Sequence, residues 1–175
     1  MKKSSQPEKR PVVKPSLEEI RKQFEEKLHE LYWCENKLAS LLPELSILST
    51  SYELATAILG QLAVTENQII RLIHIFDVIG ERAIGNKCDF IENLLSDYHF
   101  FNSESGFNRD SEIINCCQKI TNYQIEVYIK LQSEAVKLKE ELASEFLASA
   151  IKEEKNAHSR LTEISLSSIY FDAAS

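Results

Sequence analysis

Apolar residues recur every three or four positions over most of the chain, which is the spacing of one face of an α-helix. In the first such stretch, Ser16 and Glu19 form a capping-box pair that marks the start of a helix, and Pro43 predicts a kink near its end. One polar residue, Glu35, interrupts the apolar stripe of this helix. The other members of the stripe are Phe24, Leu28, Leu31, Leu38, Leu42 and Leu45.

A second long helix is predicted from another capping-box pair, Thr50 and Glu53, to Gly80, because glycine readily adopts the backbone conformation that ends a helix. Thr65 is the polar residue in its apolar stripe. After a loop around Gly85, the pattern predicts a shorter helix over residues 89–101, which we expect to bridge the two halves of the fold.

Two more long helices are predicted after Gly106. The third has Gln124 near the middle of its apolar stripe. The fourth begins at about residue 140 and has Glu154 on its stripe, with His158 one turn further along the same face.

Each long helix therefore has one polar residue near the middle of its apolar face. Burying a polar group without a partner costs a few kcal/mol, and burying a lone carboxylate costs more. We therefore expect the four side chains to satisfy one another in a single layer of the core. They are Glu35, Thr65, Gln124 and Glu154.

Length and composition limit the domain organisation. The 175 residues suit one domain, and only 4 Gly and 4 Pro interrupt them, which favours long helices. Three of the prolines lie in residues 1–15, together with Lys and Ser. We predict a disordered basic arm over residues 1–15 and a helical bundle domain over residues 16–175.

The charge distribution argues against some classes of partner. The net charge is −7 although the arm is basic, so the folded domain is acidic and is not expected to bind nucleic acid. No segment has the apolar length of a membrane span, and no apolar stretch follows the basic N-terminus as in a signal peptide. We expect a cytoplasmic protein. A protein partner for the arm is an open alternative.

The cysteines show no metal-binding or redox spacing. Cys34 and Cys88 are isolated, and the adjacent Cys116 and Cys117 point to different sides of a helix. We interpret all four as buried, reduced thiols without a neighbouring base.

Five segments carry a family signal: LYWCENKLASLLPEL (31–45), TENQIIRL (65–72), GNKCDFIENLL (85–95), QKITNYQIEVY (118–128) and KEEKNAHSRLTEI (152–164). In these segments and their spacing, the chain resembles the YciF/YciE-like proteins, a ferritin-like bacterial group of largely unknown function that is associated with stress. The resemblance implies an all-α fold, namely a ferritin-like four-helix bundle with an additional short helix between the second and third long helices.

In typical members of that family, acidic and histidine side chains hold a pair of metal ions. This chain keeps several acids, but Gln61 stands where a histidine is usual, Thr121 and Gln124 stand where carboxylates are usual, and His158 stands where an aspartate is usual. Divalent iron or manganese needs several anionic oxygen ligands, so these changes weaken the expected site. The candidate metal ligands are Glu35, Glu66, Glu154 and His158, and the other candidates for the core layer are Thr65, Gln68, Thr121 and Gln124.

Two functions follow from the resemblance. The first is a non-enzymatic, stress-related or scaffold protein with a degenerate di-metal site and no cofactor, in which His158 is held between the two buried carboxylates. The alternative is a protein that binds iron or manganese and has oxidase-like or metal-handling activity. We also predict a homodimer, because Tyr32, Trp33 and the apolar short helix exceed what one bundle can bury.

Overall fold

Four long helices and one short helix make up the described part of the chain. The computed structural model describes residues 14–98 and 106–173, in which every regular element is helical. This confirms the all-α prediction and the short helix between the second and third long ones. None of these helices is apolar over a length that would cross a membrane, within the same two ranges. The helices are α1 (Leu17–Leu48), α2 (Tyr52–Ile79), α3 (Asp89–Ser96), α4 (Phe107–Leu138) and α5 (Glu141–Ala173).

The four long helices pack in a square in which neighbours are antiparallel. Short connections join α1 to α2 and α4 to α5. Helix α1 is antiparallel to α4, as an ion pair at one end of the bundle shows. There Arg21, near the start of α1, lies 2.9 Å from Glu140, just beyond the end of α4. At the other end, Thr50 follows α1 and bonds to Asp110 in the first turn of α4. The remaining sides of the square are closed by α2 against α5, and α3 packs on α4.

The first helix begins and continues as the sequence predicts. Ser16 Oγ accepts the backbone N–H of Glu19 at 3.2 Å, and the Glu19 carboxylate accepts the backbone N–H of Ser16 at 2.7 Å. Pro43 lies inside α1, which continues to Leu48. All seven predicted stripe positions of α1, Glu35 included, are buried.

The start of α2 differs from the prediction. The N-cap is Ser51, whose hydroxyl accepts the N–H of Leu54, and not Thr50. The reason is a tertiary contact: Asp110 of α4 accepts the backbone N–H groups of both Thr50 and Ser51, at 2.7 and 2.8 Å. Thr50 is thereby held outside the helix, where its hydroxyl accepts the N–H of Gly106.

Two other predicted boundaries are only partly visible. Helix α3 ends at Ser96 rather than at residue 101, and residues 99–105 lie outside the described part of the chain. Most of the predicted N-terminal arm, residues 1–13, also lies outside it. At the end of α2, Gly80 has a φ of 77°, as its predicted role as C-cap requires.

The core forms two apolar clusters on either side of one level of the bundle. One contains Phe24, Leu28 and Phe76, and the other contains Leu42 and Ile58. Glu35 lies on α1 between the residues that contribute to the two clusters. The polar residues of the four helices therefore interrupt the core at one height.

The connection between α2 and α3 is held against α1. The N–H of Asn86 donates to the carbonyl of His29 at 3.1 Å, and Nδ1 of His29 lies 2.6 Å from the carbonyl oxygen of Ile84. Gly85 approaches Trp33 so closely that a Cβ at residue 85 would lie 2.9 Å from the Cβ of Trp33. Trp33 is half-buried, and one side of its side chain packs against this connection.

Candidate functional site

The polar residues predicted to interrupt the four helices lie in the core. Glu35, Thr65, Gln124 and Glu154 are each no more than 1% exposed. The two other candidates for the layer, Gln68 and Thr121, are also buried. The structure therefore places one polar group or more from every long helix at this level.

Two donors from α4 hold the carboxyl group of Glu35. Gln124 Nε2 and Tyr128 Oη both donate to Glu35 Oε1, each at 2.8 Å. Tyr128 lies one helical turn after Gln124, so the two side chains project from the same face of α4. These two bonds join α1 to α4 in the centre of the bundle.

Two amides from α2 hold the carboxyl group of Glu154. Gln68 Nε2 donates to Glu154 Oε1 at 2.9 Å, and Gln61 Nε2 lies 3.3 Å from both carboxyl oxygens. Gln68 also reaches the neighbouring Glu153, which Arg71 binds as an ion pair. The α2 and α5 helices are thus joined by the same amide-to-carboxyl chemistry as α1 and α4.

Burial changes the acidity of the two carboxyl groups. Loss of hydration raises the pKa of Glu35 to about 8, with a further contribution from the charge of Glu154, against the opposing effect of the bonds from Tyr128 and Gln124. Loss of hydration also raises the pKa of Glu154 to about 7, against the bonds from Gln68 and Gln61. At neutral pH the pair therefore retains a proton, and the layer holds less negative charge than two carboxylates would give.

Three oxygens of the layer are buried without a hydrogen-bond partner among the described residues: Glu35 Oε2, Thr65 Oγ1 and Gln68 Oε1. An unpaired carboxylate oxygen is costly in a dry core, whereas a protonated carboxyl group carries no net charge. The unpaired Oε2 of Glu35 therefore agrees with the raised pKa of that residue.

The structure does not bring two of the predicted metal ligands into the layer. Glu66 is exposed on α2. His158 is half-exposed, and the bonds described for the two carboxyl groups come from other residues, so the hypothesis that His158 is held between them is wrong. The buried face of α5 passes from Glu154 to Leu161, and position 158 lies at its edge.

The side chains of the layer do not fit a di-metal site. Over residues 14–98 and 106–173, no group of three or more His, Cys, Asp or Glu residues is placed to hold a metal ion. The neighbours of the two carboxyl groups present amide and hydroxyl hydrogens to them. A metal ion between these side chains would instead need the lone pairs of oxygen or nitrogen atoms directed at it.

Sequence reasoning missed Tyr128 as a member of this layer. The residue type does not suggest this role, since a buried tyrosine on an apolar stripe is usually a packing residue. Its spacing of four from Gln124 was the available signal. Gln61 departs from the family pattern, and its bond to Glu154 on α5 is not apparent from the sequence of α2 alone.

The cysteines of the described residues are free and buried, as predicted. However, Cys88 has neighbours that the sequence did not indicate. Hydrogen bonds from Cys34 and, more weakly, Tyr123 lower the pKa of the Cys88 thiol despite its burial, and the Tyr123 oxygen lies 3.1 Å from the Cys88 sulfur. The hydrogen bond to Cys88, together with burial, raises the pKa of the Cys34 thiol.

Comparisons with known proteins agree with this architecture. The family model described as "Domain of unknown function (DUF892)" matches residues 19–174. Protein YciF of Escherichia coli (strain K12) is 26% identical over 145 residues, which cover 81% of this chain and 87% of that protein.

Two solved structures are similar to the whole bundle. The crystal structure of the E. coli stress protein YciF superposes with a TM-score of 0.81 at 25% identity, and the match covers 86% of this chain and 97% of that one. YcfI from Rhodopseudomonas palustris superposes with a TM-score of 0.78 at 25% identity, covering 82% of this chain and 92% of that one.

Proposed function

The chain belongs to the DUF892 family, and from that premise we propose that it is a non-enzymatic member with a structural, stress-related role. The matches to YciF confirm the resemblance found in the sequence. YciF of E. coli is described as a stress protein, which supports the stress-related part of the proposal. In this proposal, a hydrogen-bonded layer stands in the core where related bundles would hold metal.

The donors around the two carboxyl groups carry this proposal. Gln124 and Tyr128 donate to Glu35, and Gln61 and Gln68 donate to Glu154. These neutral donors occupy one oxygen of Glu35 and both oxygens of Glu154, which supports a structural role for the two acids rather than a role in binding metal. The physical effect of these bonds is to join α1 to α4 and α2 to α5 at the middle of the bundle.

Metal analysis of protein purified without chelator tests the proposal. We expect far less than one iron, manganese or zinc per chain, and a melting temperature that EDTA does not change. The comparison is the double variant Thr121→Glu, Gln124→Glu, which adds two carboxylates next to Glu35. It should be less stable without metal and gain stability when iron or manganese is added. Stoichiometric metal in the natural protein, or a fall of several degrees with EDTA, would contradict the proposal.

We also propose that the protein is a homodimer whose contact surface lies on α2. Leu59, Ile70 and Ile73 are 51%, 64% and 37% exposed, and their spacing places them along one face of the helix. Large apolar side chains aligned on one face favour association with another protein surface. A second copy of the chain is the partner that is always available at the same concentration.

For the compartment, we propose the cytoplasm. The support is the set of four free cysteines, because proteins of oxidising compartments usually pair their cysteines.

A further inference from the structure

A cavity of about 450 Å³ lies between the four long helices, next to the polar layer. Its volume is within the range of cavities that hold small molecules. All four long helices contribute residues to its wall. It is therefore a space inside the bundle and not a shallow groove on one helix.

Small residues at the α2–α5 seam leave the cavity accessible. The seam has Ala57 and Gly60 on α2, opposite Ala157 on α5. A Cβ added at Gly60 would meet no atom within 4 Å, so the space beside this residue is open. Larger side chains at these three positions would close the gap between the two helices.

The α1 side of the cavity wall is apolar, whereas polar residues line the end near the carboxyl layer and part of the α2–α5 side. Leu38, Leu42 and Leu45 of α1 form a continuous apolar surface. Near the carboxyl layer, Gln61 and Thr121 line the polar end, with Gln124 beside them. An occupant would thus meet aliphatic side chains along its length and amide or hydroxyl groups at its head.

The charged residues of the wall are already paired. Arg160 bonds to Glu53 at 2.7 Å and to Glu163 at 3.3 Å, and Glu153 binds Arg71. No unpaired cation is therefore offered to an anionic head group, and no unpaired carboxylate to a cationic one, among the wall residues. A charged head would lose its hydration without gaining a counter-ion, which is unfavourable.

We propose that this cavity binds a neutral, elongated apolar molecule with one hydroxyl or carbonyl group at its end, of the fatty-alcohol class. The chain lies along the α1 leucines, and the polar head bonds to the side chains of Gln61 and Thr121. This inference is independent of the structural role proposed above, because it uses the space beside the carboxyl layer and leaves the bonds within the layer intact.

Fluorescence titration with Nile red, a neutral apolar dye, tests the proposal on the full-length protein. We expect saturable binding and displacement of the dye by 1-decanol. Decanoate and decylamine have the same chain length but charged heads, and they should displace the dye with at least about tenfold weaker affinity. Equal displacement by all three compounds, or no saturable binding, would overturn the proposal.

Variants at the seam locate the binding. Gly60→Leu and Ala157→Leu narrow the cavity from opposite helices, and each should weaken Nile red binding by about tenfold or more. Ala63→Leu is the matched control, because Ala63 is exposed on α2 and does not line the cavity. Helical circular dichroism and a cooperative melt establish that each variant is folded. Unchanged binding in both folded seam variants would overturn the proposal.

A second copy of the chain is the competing occupant of the seam. Ile70→Lys combined with Ile73→Lys alters the exposed α2 face without changing a cavity residue. Nile red binding that appears only in this variant would show that another copy covers the seam, and would overturn the proposal. Equal binding by this variant and the natural protein supports it.

Discussion

The Tyr128 hydroxyl donates to Glu35 Oε1 at 2.8 Å, and both residues are almost completely buried. The bond joins α4 to α1 at the level where the apolar core is interrupted. It is also the contact that replaces the histidine-to-carboxylate contact expected from the sequence.

Tyr128→Phe should destabilise the fold by about 1–2 kcal/mol, because it removes one donor from Glu35 while leaving the ring in place. Urea unfolding followed by circular dichroism measures the change. His158→Ala is the control and should alter the free energy of unfolding by less than about 0.5 kcal/mol, since His158 is half-exposed. A larger loss in His158→Ala than in Tyr128→Phe would restore the role first assigned to the histidine.

Stability should fall as the pH rises from about 5 to 8. The pKa of Glu35 is raised to about 8 and that of Glu154 to about 7, both from 4.5. In this window the folded state binds more protons than the unfolded state, so the free energy of unfolding decreases with pH, by an amount on the order of 1 kcal/mol per unit.

Glu35→Gln isolates this effect, because glutamine has nearly the same shape and does not titrate. Its urea midpoint should depend less on pH than that of the natural protein. Glu66→Gln changes an exposed acid on α2 and should leave the pH dependence as it was. Parallel pH profiles for the natural protein and Glu35→Gln would show that Glu35 is not protonated by burial.

Asp110→Ala should cost about 1–2 kcal/mol of stability, since it leaves the backbone N–H groups of Thr50 and Ser51 without their acceptor. Asp110→Asn keeps one acceptor oxygen and should cost less. Glu44→Ala, at an exposed position of α1, is the control. Thermal melts of the three variants give the order of their stabilities. Equal melting temperatures for the three variants would mean that the Asp110 contacts do not stabilise the turn.

The proposed dimer should dissociate when charge is placed on the α2 face. Ile70→Lys combined with Ile73→Lys should convert the sedimenting species from about 40 kDa to the mass of the 20.0 kDa chain at micromolar concentration. Ile47→Lys is the matched control, since Ile47 is 84% exposed on a different helix. A natural protein that already sediments as a monomer would rule out the dimer.

Periodicity was sufficient to predict the long helices, because each has a stripe that only a helix brings to one face. It also indicated that Glu35 and Glu154 are buried, since both interrupt such stripes. Periodicity could not show which side chains would donate hydrogen bonds to these two carboxyl groups. Hydrogen bonds between helices depend on relative rotation and height, which a pattern within one helix does not contain.

The errors have the same origin. Thr50 has the local sequence of an N-cap, but Asp110, sixty residues later, decides where α2 begins. His158 is one turn from Glu154, but the helix rotates it to the edge of the buried face. Local rules therefore failed where a contact from a distant segment or a small helical rotation determines the outcome.

Trp33 is the only tryptophan of the chain, and it lies directly beneath Gly85. Its fluorescence therefore reports on one place, where the connection between α2 and α3 packs against α1. Release of that connection would expose the half-buried indole further to water and move its emission to longer wavelength, while the helical circular dichroism stayed nearly constant. The protein thus contains an optical probe that distinguishes local detachment of this connection from unfolding of the bundle, without an added label.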